Sequence, residues 1–173
     1  MPNLSAAAMA VLMIIAPLPA DAALPRALDA SSIGVGAAAR EWIWPVAAFR
    51  LERGYAAPAH RYGPGHRGVD VRPLDDAAVR APADGVVAFL GMVAGRGILT
   101  IDHGDGFVTT FEPIDSALEE GTAVTQGERV GAVSRGGHTA PGALHFGVRY
   151  LGEYVNPMLL LGGVPRAVLL PCC

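Results

Sequence analysis

Two short stretches of this chain carry side chains whose types and spacing could do chemistry. Gly65-His66-Arg67-Gly68-Val69-Asp70-Val71 sets an imidazole and a carboxylate four positions apart. In an extended chain both point to the same face but lie about 13 Å from each other. Only a curled entry, which Gly63-Pro64 and the neighbouring glycines permit, would bring them to one point. In Leu144-His145-Phe146-Gly147-Val148-Arg149 the residues Leu144, Phe146 and Val148 form one apolar face. His145, Gly147 and Arg149 fall on the other, where a histidine flanked by glycine can look into a groove. Imidazole and carboxylate are the donors that divalent transition metals take. Taken alone, a histidine is more often a surface or hydrogen-bonded residue than a ligand.

The elements that would have to position these groups read as strands. Val86-Val87-Ala88-Phe89-Leu90, Ile98-Leu99-Thr100-Ile101 and Phe107-Val108-Thr109-Thr110-Phe111 are brief apolar runs rich in β-branched residues, with Gly and Pro recurring between them. Short strands at close spacing predict an all-β domain. Asp84-Gly85 and Asp105-Gly106 are expected as hairpin turns. Only the stretch from Ile114 to Glu120 has any helical character. His103 reads as a turn residue, His60 as a surface residue, and Arg61 and Tyr62 as flanks of a groove ahead of His66.

Composition narrows the function. The chain has 173 residues and a net charge of −3, which speaks against a nucleic-acid partner and against a polybasic membrane anchor. All 13 basic residues are arginine. Lipoyl and biotinyl carrier domains, faintly suggested by Gly121 to Gly131, need an acceptor lysine and are excluded. No G-x-S-x-G nucleophile elbow is present. Both cysteines, Cys172 and Cys173, are terminal neighbours, poorly placed to bridge each other.

The N-terminus reads as an export signal. An apolar run from Ala6 to Ala16 is broken by Pro17 and Pro19 and followed by Ala20-Asp21-Ala22, a small-x-small cleavage pattern. No basic residue precedes the run, which is too short to span a bilayer stably. The expected organisation is a signal peptide over 1–22, a linker over 23–40, the domain over 41–161 and a short apolar tail over 162–173. The mature protein is expected to be secreted or associated with the cell wall.

From about Trp44 to Leu161 the motifs resemble, in order, those of the lysostaphin or LytM-type zinc metallopeptidases. Residues 65–71 match the family's H-x-x-x-D motif, and 144–149 match the second half of its H-x-H motif. Between them, 80–87 are similar to its "v-x-A-p-a-d-G-x-V" segment, 101–106 to its "i-x-H-g-n-G" turn, and 121–131 to its "G-x-x-V-x-x-G-x-x-i-G" segment. The resemblance implies a small, mostly antiparallel β-sandwich of the LytM (duplicated hybrid motif) type. It implies Zn²⁺ held by His66, Asp70 and His145, with a fourth position left for water. A zinc-bound water attacking a peptide carbonyl, in the peptide cross-links of peptidoglycan, is the activity that follows.

The chain departs from the family pattern at two places. The histidine two positions before the last ligand is Ala143 here, and that of a "Y-x-H-L" segment is Pro113. Either catalysis has been lost, leaving a zinc-containing wall-binding or hydrolase-regulating module, or other residues have taken over. Glu112, one position from the lost histidine, and His138, on the loop before the final ligand, are the candidates. A branch of the family from high-GC Gram-positive bacteria carries similar T-T-[FY]-E-P and G-H…L-H-[FW]-G wording.

Overall fold

The computed structural model of the chain describes residues 42–162. The segments expected as signal peptide, linker and tail, including Cys172 and Cys173, lie outside the described residues except for Gly162. The described residues run β1 (Phe49–Arg53), β2 (Gly68–Pro73), β3 (Ala78–Arg80), β4 (Gly85–Val93), β5 (Arg96–Asp102), β6 (Phe107–Glu112), β7 (Ile114–Asp115), β8 (Ala123–Val124), β9 (Arg129–Val133), β10 (Leu144–Tyr150), β11 (Glu153–Val155) and one short helix, α1 (Met158–Leu161). No helix among them is long and apolar enough to cross a membrane.

The large sheet has the order β1-β2-β10-β6-β5-β4-β8, with β11 added to β10. The small sheet has the order β3-β9-β7. Every pairing is antiparallel. This is the all-β, antiparallel architecture expected from the strand pattern. One apolar core joins the two sheets: Val69, Val71, Leu99, Ile101, Phe111, Leu144, Phe146 and Val148 from the large sheet, Val79, Ile114 and Val130 from the small one. Phe111 and Phe146, opposite each other on neighbouring strands, stack with ring centroids 5.3 Å apart. The alternation in β10 is the one read from its sequence: Leu144, Phe146 and Val148 are fully buried in this core, so His145 and Gly147 point to the opposite face.

Three local expectations need correction or completion. Asp105-Gly106 does turn the β5–β6 hairpin, with φ of 51° and 83°. Asp84-Gly85 is not a hairpin turn. It carries the chain from the small sheet into the large one, and Asp84 Oδ1 accepts the Gln126 amide, tying that crossover down. The tight turns joining β4 to β5 and β10 to β11 are instead Ala94-Gly95 and Leu151-Gly152, all four at positive φ. No helix forms over 114–120. Ile114 is buried in the core and pairs with Val133 on β9, and the few residues left before Gly121 are too short to repay helix nucleation.

The core's tightness gives a measurable consequence. Phe111→Ala removes one ring of the stacked pair directly beneath the functional face, and should cost about 3–5 kcal/mol of unfolding free energy in urea titrations.

Candidate metal centre

β10 lies between β2 and β6, and its register is specific: His145 faces Asp70 on one side and Glu112 on the other. Three ionisable side chains thus form one row across three strands on the face opposite the core. The next row is Gly68, Gly147 and Thr110, which keeps the surface beside the row low. His66 arrives from the segment ahead of β2, where its backbone makes an isolated bridge with Ala56. That bridge supplies the curl an extended H-x-x-x-D stretch lacks.

The convergence is close. His66 Nε2 lies 3.0 Å from Asp70 Oδ1 and 3.1 Å from His145 Nδ1, and His145 Nδ1 lies 2.8 Å from Asp70 Oδ1. All three residues are buried. Ligands around tetrahedral zinc at about 2.0–2.1 Å stand about 3.3 Å apart, so these three atoms are already near that spacing. His66 Nδ1–H donates to the Gly54 carbonyl at 2.7 Å. In neutral imidazole this leaves Nε2 with a bare lone pair. That lone pair faces a carboxylate oxygen at 3.0 Å, an arrangement that a shared cation relieves. The donor set therefore fits a divalent metal. Burial pushes the Asp70 carboxyl up, but the hydrogen bond from His145 and the proximity of the two imidazoles outweigh it and hold it below the usual carboxylate value.

Gly68 explains why the first motif carries a glycine between its two ligands. A Cβ there would lie 2.4 Å from the Phe146 carbonyl and 2.7 Å from His145 Nε2. The backbone of β2 must stay bare for the His145 ring to lie over it.

Glu112 and His138 complete the surroundings. Glu112 is buried at 8% exposure and receives a hydrogen bond from Arg96 Nε at 2.5 Å. Its other oxygen is 3.6 Å from His138 Nδ1. The His138 ring stands 4.9 Å from that of His145 and 6.3 Å from that of His66, and donor atoms of His66, Asp70, His138 and His145 all lie within 4.8 Å of one another. Burial, then the charge of His145, pushes the His138 imidazole below its usual value, against the opposite pull of Glu112 and Asp70. Its neutral, proton-accepting form is thereby favoured.

A cleft of about 280 Å³ opens over this cluster, walled by Arg53, Arg67, Arg96 and Tyr154. The loop over 134–142 separates it from a larger hollow of about 830 Å³ that holds none of the donors. Arg61 and Tyr62 do not line the cleft, and Tyr62 is 87% exposed. His103 does lie in the turn between β5 and β6, as read from the sequence, but it is not a surface residue. It is buried, with its ring nitrogens at 2.8 Å from the Asp84 carbonyl and from Thr109 Oγ1, so it braces the β3–β4 crossover against β6. His60 is exposed. Ala143 is fully buried in the turn ahead of β10, and Pro113 is buried beyond the end of β6. Arg96 is the residue that sequence reasoning missed. The available signal was charge: Glu112, once placed inside, required a cation beside it.

These motifs and this geometry have a counterpart among known proteins. The model of Peptidase family M23 matches residues 64–157. The chain belongs to this family. An uncharacterized protein of Mycobacterium tuberculosis is 32% identical over 119 residues, 65% of this chain and 48% of that protein. The murein hydrolase activator NlpD of Salmonella dublin is 29% identical over 152 residues, 86% of this chain and 39% of NlpD. The chain thus spans about half, or less, of the length of these relatives. The solution structure of lysostaphin superposes with a TM-score of 0.60 at 21% identity, covering 79% of this chain and 61% of that one, which shows a shared fold. The lysostaphin-type resemblance and the high-GC branch read from the motifs are both met in these matches.

The arrangement can be tested through its metal. The purified protein should carry about one zinc per chain by elemental analysis. His66→Ala and Gly68→Ala should each lose most of it, the latter with lowered stability as well, because the new Cβ meets the Phe146 carbonyl on the neighbouring strand as well as the His145 ring.

Proposed function

We propose that this protein is a zinc-dependent endopeptidase acting on the peptide cross-links of peptidoglycan. The observation that carries the reading is the convergence of His66 Nε2, Asp70 Oδ1 and His145 Nδ1 to within 2.8–3.1 Å of one another at the base of an open cleft. Three protein donors with an open side are typical of catalytic rather than structural zinc. Family membership and the fold shared with lysostaphin support the same choice.

His66, Asp70 and His145 would hold the ion. When bound, zinc supplies Lewis acidity and lowers the pKa of a coordinated water toward about 7. The chain's own residues do the rest. The Gly54 carbonyl fixes the His66 ring and its tautomer. Gly68, Gly147 and Thr110 leave the sheet surface low, so that an extended peptide has room to lie over it. Arg53 and Arg67 make the cleft wall positive and suit a substrate that carries carboxylates. His138, with Glu112 beside it, takes up a proton and returns it to the leaving amine, in place of the histidines absent at 113 and 143. Export by the segment over 1–22 would put the protein where this substrate is.

The similarity to NlpD favours a second reading, in which the domain regulates other wall hydrolases without cutting the wall itself. Purified peptidoglycan separates the two. The peptidase reading expects new free amines on incubation with the zinc-loaded protein, abolished by chelation and restored by Zn²⁺. His138→Gln should lower the rate by about 10²–10⁴-fold, and Glu112→Gln, which removes only its orienting partner, by less, with zinc content unchanged in the latter. Sedimentation with the wall without release of amines would support the regulatory reading and remove the enzymatic one.

A further inference from the structure

Arg96 opens β5, immediately after the Ala94-Gly95 turn. Two independent features meet on its side chain. The first is the ion pair: Nε donates to Glu112 Oε2 at 2.5 Å, and Nη1 reaches the Val93 carbonyl at 3.3 Å, which anchors the guanidinium to its own hairpin. The second is packing. Gly136 and Gly137, at φ of 113° and 80°, cross directly over the same residue. A Cβ on Gly137 would stand 2.7 Å from Arg96 Cδ, and one on Gly136 would stand 3.0 Å from the Gly95 carbonyl and 3.3 Å from Arg96 Cβ. His138 follows these two glycines.

We propose that Arg96 is the positioning residue of this centre: its guanidinium fixes Glu112, and its stem seats the Gly136-Gly137 turn that sets His138 over the metal donors. Neither half works without the other. Glu112 shares a sheet row with Asp70, so two carboxylates flank His145, and a buried carboxylate without a cation is strongly disfavoured. His138 is on a loop whose double glycine gives it little stiffness of its own. One side chain holds both in register, and their separation of 3.6 Å follows from that shared support. Glu112 then serves to orient His138, and His138 is the group that meets substrate. An arginine suits the task because its planar fork holds a carboxylate in one geometry, which a lysine ammonium does not.

The consequence for turnover rests on the peptidase reading, whereas the positional claim stands on geometry alone. The test uses the full zinc-loaded chain with Arg96→Met, Arg96→Lys and, as a control remote from the cleft, Arg50→Met. Backbone ¹⁵N relaxation reads the order of Gly136, Gly137 and His138. Hydrolysis of a cross-linked muropeptide dimer reads kcat and KM. In Arg96→Met the three loop amides should lose order while zinc content and core amides stay native. The kcat should fall by about 10²-fold with KM little changed, and Arg96→Lys should recover part of both. Wild-type loop order in Arg96→Met overturns the proposal. If the wild-type protein cleaves no dimer, the peptidase reading fails by itself and loop order alone decides the role of Arg96.

Discussion

The register of β10 between β2 and β6 is the constraint on which the site depends. Leu144, Phe146 and Val148 face the core in the observed alignment, and that alignment sets His145 between Asp70 and Glu112. Because side chains alternate along a strand, a slip of one residue would turn the imidazole into the core and an aromatic ring into the cleft. Burial of apolar surface and assembly of the donors are therefore the same event. The donors need no dedicated scaffold, since the force that packs the sheet also aligns them.

A second consequence concerns the space left by two missing histidines. Neither Ala143 nor Pro113 lines the cleft, so neither position stands in it as an empty slot. What stands near the donors instead comes from elsewhere: an arginine from the start of β5, a carboxylate from the end of β6 and an imidazole from a glycine-rich loop. These three support each other and share no element with His66 or Asp70. The centre thus has two halves of separate origin, a donor half built on β2 and β10 and a polar half built on β5, β6 and the loop over 134–142.

Much of this was legible in the sequence, for reasons specific to each element. The strands over 86–90, 98–101 and 107–111 could be read because their apolar runs are short and bounded by turn formers. The convergence of His66, Asp70 and His145 was expected from motif order, although spacing alone placed His66 and Asp70 too far apart. The missing part was the bridge from His66 to Ala56, a long-range backbone pairing that no local pattern announces. The Ala94-Gly95 and Leu151-Gly152 turns were missed because alanine and leucine seldom take positive φ, so neither resembles Asn-Gly or Asp-Gly. The turn at His103 was legible from the glycines after it, but its burial was not, because its partners Asp84 and Thr109 are brought in by the rest of the fold. Arg96 went unnoticed because the pairing of β5 with β6 that brings it to Glu112 exists only in three dimensions.

The row of Gly68, Gly147 and Thr110 bears on how the domain can diversify. Gly68 admits no side chain, and any added at Gly147 would occupy the cleft itself. The base of the cleft thus has no room at Gly68 and only the cleft's own space at Gly147. The walls are freer, above all the loops over 54–66 and 134–142, which carry few regular backbone pairings. The sheet fixes where the donors stand, and the loops shape what can reach them.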